Sequence, residues 1–198
     1  MFLARLRLNR SRTAVTWIAN PYRVHQRLMM AFDGDPRLLF RIDESTEGAQ
    51  ILVQSQTEPN WGASFSGFSV LACSPEHKPF QPCLEAGRRY RFRLLANPTV
   101  KRDGKRLGLL REEDQRAWLV RKITDAGAEL LGCTVSPHGL QRSGKNPYKE
   151  AAAQTHLAVL FEGVLRVTDP TLMTAAIENG IGAAKGYGFG LLSLAPAQ

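Results

Sequence analysis

His25 and Tyr22 are the residues of this chain whose types and spacing suit acid–base chemistry. They stand three apart in the run Asn20-Pro21-Tyr22-Arg23-Val24-His25. In a helix, residues at that spacing are surface neighbours. An imidazole titrates near neutral pH, and a phenol can orient a hydroxyl or donate to an oxyanion. No acidic cluster accompanies the pair. The other histidines, His77, His138 and His156, keep no metal-ligand spacing with His25 or with each other. If the pair acts on RNA, metal-free proton transfer is the chemistry left open, with no cofactor and no metal expected. RNA carries its own nucleophile, the 2′-hydroxyl beside the scissile phosphate. A protein need only align the groups, move protons and stabilise charge on the phosphoryl oxygens. A positioned proton donor or acceptor contributes about 10²–10⁴-fold. The products would be a 5′-hydroxyl and a 2′,3′-cyclic phosphate. The spacing leaves open whether His25 is the acid or the base. The plainer reading of His25 is a histidine that merely borders a core.

The charge around the pair argues for more. Lys plus Arg number 26 against 18 for Asp plus Glu, a formal charge of +8 and a pI near 9.8. That surplus suits a polyanionic partner. Arg5 and Arg7 alternate with Ala4, Leu6 and Leu8; Arg89, Arg91 and Arg93 alternate with Tyr90, Phe92 and Leu94. Each run reads as a strand with one apolar and one basic face, and the five arginines are expected to line a groove for phosphates. Arg23 and Arg27 fall on the solvent side of the helix that carries His25. Lys101, Arg102, Lys105 and Arg106 crowd a turn around Gly104, and Arg142 and Lys145 lie in a further basic segment with Tyr148. Near the end stands Gly180-Ile-Gly182-Ala-Ala-Lys185-Gly186-Tyr-Gly188-Phe-Gly190. No Ser or Thr follows its lysine, so it is not a phosphate-binding P-loop. It runs from a helix into a strand, the wrong context for a dinucleotide fold. Gly182 and Gly186 would let backbone approach a phosphate closely, with Lys185 adding charge.

These residues need a frame. The pattern predicts, in order, a strand over 2–9, a helix over 21–32, strands over 38–43 and 50–55, a weaker helix or loop over 58–64 and a strand over 67–72. After a proline-bearing stretch come a strand over 88–96, a helix over 111–126, strands over 128–135 and 156–168, a helix over 170–179 and a strand over 189–194. Asn20 and Asp169 are placed as helix caps, each with proline next. Each half approximates β-α-β-β-α-β, the ferredoxin-like (RRM-like) unit. The fold class is therefore α+β: an N-terminal domain over 1–74, a linker over 75–87 and a C-terminal domain over 88–198. The three cysteines, Cys73, Cys83 and Cys133, form no CxxC pair. They read as small buried residues of a reducing cytosol, and no stretch suits a membrane span or a signal peptide.

Taken together, Ala19-Asn20-Pro21-Tyr22 with His25, Arg91-Phe92-Arg93-Leu94 leading into Ala96-Asn97-Pro98, Gly104-Lys105-Arg106, Leu160-Phe161-Glu162-Gly163 and the glycine-rich loop into Gly190-Leu191-Leu192-Ser193 resemble the CasE family. These are the CRISPR repeat endoribonucleases of type I-E systems. The resemblance covers nearly the whole chain. It implies two tandem ferredoxin-like domains and metal-independent cleavage of the CRISPR repeat transcript at the base of its hairpin. It also implies retention of the mature guide RNA within Cascade, beside other Cascade subunits, in the cytoplasm. The family's helix histidine falls on His25, its neighbouring tyrosine on Tyr22, its glycine-rich loop on 180–190 and its basic turn on 104–106. Segment 134–155 does not align. The competing reading is a non-catalytic RNA-binding scaffold of the same fold class, which would need the basic surface but not His25.

Overall fold

The computed structural model describes residues 1–34, 37–46, 48–144 and 154–197. Strand β1 (Phe2–Arg7) alternates as its sequence requires, burying Ala4 and Leu6 and exposing Arg5 and Arg7. It is followed by helices α1 (Arg12–Ile18) and α2 (Pro21–Met29), strands β2 (Leu38–Ser45) and β3 (Gly48–Ser55), helix α3 (Trp61–Phe65) and strand β4 (Glu76–Pro79). The first sheet has the order β2-β3-β1-β4, with antiparallel ladders throughout. The core gathers Leu6, Trp17, Val24, Leu28, Phe40, Ile51 and Val53. On α2, Val24 and Leu28 are the buried stripe that helical spacing predicts.

The second run begins with β5 (Arg89–Ala96), whose Tyr90, Phe92 and Leu94 are buried. The hairpin β6 (Thr99–Arg102) and β7 (Lys105–Gly108) follows, then α4 (Glu112–Asp125), β8 (Ala128–Ser143), β9 (Gln154–Val167), α5 (Pro170–Asn179) and β10 (Leu192–Pro196). The second sheet has the order β10-β5-β9-β8. In each sheet the strands thus lie second, third, first, fourth, or the mirror of that listing. Helix α5 starts as read: Asp169 accepts from the backbone N–H of Thr171 and Leu172 at 2.8 and 3.0 Å, with Pro170 next. Glu112, Glu113 and Asp114 occupy the first turn of α4, where carboxylates complement the helix dipole.

Several expectations are corrected. Helix α1 stands where no element was expected, opened by Ser11 Oγ accepting from Ala14 N–H at 3.2 Å. Asn20 occupies the cap position of α2 but makes no side-chain cap; its Nδ2 donates to the Gly144 carbonyl at 3.2 Å. The expected strand at 67–72 is reduced to a single bridge between Leu8 and Leu71. Instead β4, inside the stretch read as linker, pairs with β1. The last strand begins at Leu192 rather than Phe189. Cys73 and Cys83 are exposed, not buried; among the described residues all three cysteines are free thiols.

The chain divides into two compact units. One comprises Met1–Gln81, Arg142–Gln154 and Lys185–Gly188; the other comprises Pro82–Gln141, Thr155–Ala184 and Phe189–Gln198. Four residues of the glycine-rich loop therefore belong to the unit built around the first sheet. Among the described residues no helix is long and apolar enough to cross a membrane.

Candidate active site

Pro21 fixes the start of α2, and the burial of Val24 and Leu28 fixes its rotation. Tyr22 and His25 are then held half-buried at the edge of the core, while Arg23 is exposed. Beneath His25 lies Phe40 of β2, itself fully buried. The two rings stack with centroids 6.1 Å apart and planes 12° apart. Above His25 lies the short 3-10 turn Lys185–Tyr187. A Cβ added to Gly186 would stand 3.5 Å from His25 Cδ2 and 3.6 Å from Nε2, and one on Gly188 only 3.2 Å from Phe40 Cε2. The imidazole thus packs beside an aromatic ring and a glycine. A side chain at 188 would press on Phe40, whereas a methyl at 186 would only touch the imidazole at ordinary contact distance.

The turn brings two more groups. Tyr187 packs beside Tyr22, ring centroids 6.0 Å apart. Burial, and then the neighbouring Tyr22, push its phenol above the usual tyrosine range. It therefore stays a hydrogen-bond donor. Lys185 is half-buried; burial, and then the Arg37 guanidinium, hold its ammonium below the usual lysine range. Phe40, Arg37 and Tyr187 are site residues that sequence spacing did not single out. Phe40 reads only as an apolar strand residue, and no local spacing ties Tyr187 to Tyr22.

The other expected contacts are more dispersed. Arg27 is half-buried, its Nη1 donating to the Ser64 carbonyl at 3.0 Å and its guanidinium carbon 4.4 Å over the Phe68 ring. Arg5 and Arg7 both face Glu76. In the other unit Arg93 pairs with Glu162 at 3.3 Å, while Arg91 is exposed. Gly182, at φ +87°, stands where a Cβ would meet Trp118 at 3.1 Å. That packing is a structural reason for a glycine there. Lys101, Arg102, Lys105 and Arg106 are all exposed on the β6–β7 hairpin, with Lys101 opposite Arg106 and Arg102 opposite Lys105. Its turn, Asp103 at φ 47° and Gly104 at φ 75°, has the positive φ values of a tight hairpin turn. Arg142 is exposed near the end of β8; Lys145 lies outside the described residues. Among the described residues no three His, Cys, Asp or Glu side chains gather as metal ligands.

Against known proteins, the model of the family described as CRISPR associated protein matches residues 1–196. The chain is 37% identical over 214 aligned positions to the CRISPR-associated endoribonuclease Cse3 of Thermus thermophilus, covering 99% of this chain and 100% of that one. It is 33% identical to the CRISPR system Cascade subunit CasE of Escherichia coli K12, covering 92% and 96%. The chain belongs to the CasE family. Among solved structures, Thermus thermophilus Cse3 bound to an RNA representing a pre-cleavage complex superposes with a TM-score of 0.83 at 36% identity, covering 98% of each chain. A CasE-family member carrying His25 and Tyr22 under a glycine-rich turn presents a histidine that is positioned, not merely solvated.

Proposed function

We propose that this protein is a metal-independent endoribonuclease that cleaves CRISPR repeat RNA precursor at the base of the repeat hairpin. On this reading it keeps the mature guide RNA and acts with other Cascade subunits in the cytoplasm. The observation that carries the reading is the packing of His25 against Phe40 and Gly186, with Tyr187 beside Tyr22. Relatives named as an endoribonuclease and as a Cascade subunit support it. We read the two sheets, with their shared strand order, as tandem ferredoxin-like domains.

In the proposed reaction the 2′-oxygen bonds to phosphorus as the bond from phosphorus to the 5′-oxygen breaks. The 2′-hydroxyl gives up a proton and the 5′-oxygen gains one. His25 handles one of these transfers at its imidazole. The Tyr22 phenol orients the 2′-hydroxyl or donates to a phosphoryl oxygen, and Lys185 adds positive charge beside the phosphate. Arg23 and Arg27 extend the contact along α2. Arg91, Arg93, Arg142 and Lys145 are further RNA contacts, as are Gly182 and Gly186, where backbone would approach the RNA. On the β6–β7 hairpin, like charges stand directly opposite each other, which is unfavourable in isolation. A polyanion would relieve that repulsion, so Lys101, Arg102, Lys105 and Arg106 are proposed to hold the RNA hairpin.

His25→Ala is expected to lower the single-turnover cleavage rate of a cognate repeat RNA by at least about 10²-fold while leaving its Kd nearly unchanged. EDTA should not slow the wild-type protein, and a 2′-deoxy nucleotide at the cleavage point should block cutting. Full activity of His25→Ala, or the absence of any defined fragment with a cyclic phosphate end, would leave a non-catalytic scaffold as the better description.

A further inference from the structure

On the flank of α2 next to the His25 stripe runs a second feature, a groove between α1 and α2 of about 690 Å³. Arg12 and Thr16 of α1, Arg23, Gln26 and Arg27 of α2, and Phe68 are among its lining. The volume suits one or two small organic groups rather than a folded domain. Among the described residues no carboxylate lines it. Arg12 and Arg23 are exposed, and neither has an acidic partner among the described residues. Arg27 is different: its bond to the Ser64 carbonyl and its seat 4.4 Å over Phe68 fix its position. With Phe68 also packed against Trp17 and Phe65, the ring backs a guanidinium that lines the groove, a planar group of the kind on which an unpaired base stacks. Thr16 and Gln26 add hydroxyl and amide groups able to meet base edges.

We propose that this groove binds the single strand of RNA that continues past the scissile phosphate, with phosphates at Arg12 and Arg23 and a base on the Arg27–Phe68 platform. The inference rests on the nuclease reading above and extends it to the leaving strand. An intact A-form duplex hides its base faces and reads mainly by shape and backbone, so a platform of this kind suits unpaired nucleotides. The helix geometry gives a short path. At 100° per residue, the Tyr22–His25 stripe and the Arg23–Gln26–Arg27 stripe are adjacent on α2. The arc between them is about 10 Å on a helix of ordinary width, which about three stacked nucleotides span at about 3.4 Å each.

The test uses the full-length protein and two uncleavable repeat RNAs carrying a 2′-deoxy nucleotide at the cleavage point. One ends there and the other continues for about six further nucleotides, a typical single-strand site size. Wild type should bind the longer RNA about tenfold more tightly, the order expected of one stacked base with phosphate contacts. Arg12→Glu, an exposed change, and Thr16→Glu, a second exposed change on the same wall, should each remove most of that gain. Both should bind the shorter RNA as wild type does and keep the wild-type melting temperature. The proposal fails if the extension gives wild type no gain. It also fails if the variants lose affinity for both RNAs alike, since the groove would then serve the hairpin. If the variants keep the whole gain, it fails again, and the groove would then suit an acidic segment of a partner protein. Failure to bind the shorter RNA at all would instead overturn the nuclease reading itself.

Discussion

Two glycines of one turn face His25 and its support, and they are not equivalent. At Gly186 an added methyl would sit 3.5 Å from the imidazole, an ordinary contact, and its φ lies outside the left-handed region. At Gly188 the φ is +86° and the methyl would press Phe40 at 3.2 Å. An L-residue there carries strain of about 1–2 kcal/mol, and Phe40 is the ring on which His25 stacks. Gly188→Ala should therefore lower the melting temperature and also slow single-turnover cleavage through a displaced imidazole. Gly186→Ala should change stability by no more than about 0.5 kcal/mol. Thermal melts and cleavage rates on both variants check the order; equal effects would mean that Phe40 does not position His25. The Tyr22–His25 pair was legible because i,i+3 adjacency is written in the sequence. Phe40, Arg37 and Tyr187 were not, because only folding brings them to α2.

Elements were legible in proportion to how strongly their local signals agreed. Helix α5 had a capping Asp169, Pro170 and a glycine stop, and its predicted span, 170–179, coincides with the observed one. Helix α1 was missed because Thr13, Val15, Thr16 and Ile18 are β-branched and weaken the helical signal. Only Ala14 and Trp17 mark its buried side. Strand β4 was missed because all four of its residues are exposed and its Pro79 looks like a linker residue. An edge strand tolerates both features. The phrase Leu160-Phe161-Glu162-Gly163 has a structural reason at its end. A Cβ on Gly163 of β9 would collide with the Gly132 carbonyl oxygen and stand 2.8 Å from Cys133 Cα on β8. Backbone, not a flexible side chain, would have to yield. Gly163→Ala should cost at least about 1–3 kcal/mol, the range of overpacking, read as a lower denaturation midpoint. A midpoint equal to wild type would mean that β8 and β9 shift apart freely.

At the scale of the whole chain, a strand-and-helix pattern common to both halves was readable, and the two sheets share one strand order, although α1 and the β6–β7 hairpin interrupt the repeat. The assignment of Lys185–Gly188 to the first unit was not readable, because no periodicity records which distant element a loop will cover. Net charge was readable without any structure, and it leads to a measurable consequence. With a formal charge of +8, RNA binding should weaken steeply as salt rises, through release of condensed counterions. The hairpin gives that slope a location. Lys101, Arg102, Lys105 and Arg106 are exposed and opposed like to like, so they are strong candidates for phosphate contacts. Each lost phosphate contact lowers the slope of log K against log salt by about 0.7–0.9. Replacing all four by alanine should therefore flatten the slope by about 3 and leave cleavage at saturating RNA close to wild type. A slope that does not change would place the phosphate contacts elsewhere. An unchanged slope with lost discrimination between cognate and scrambled hairpins would instead make these side chains readers of base edges.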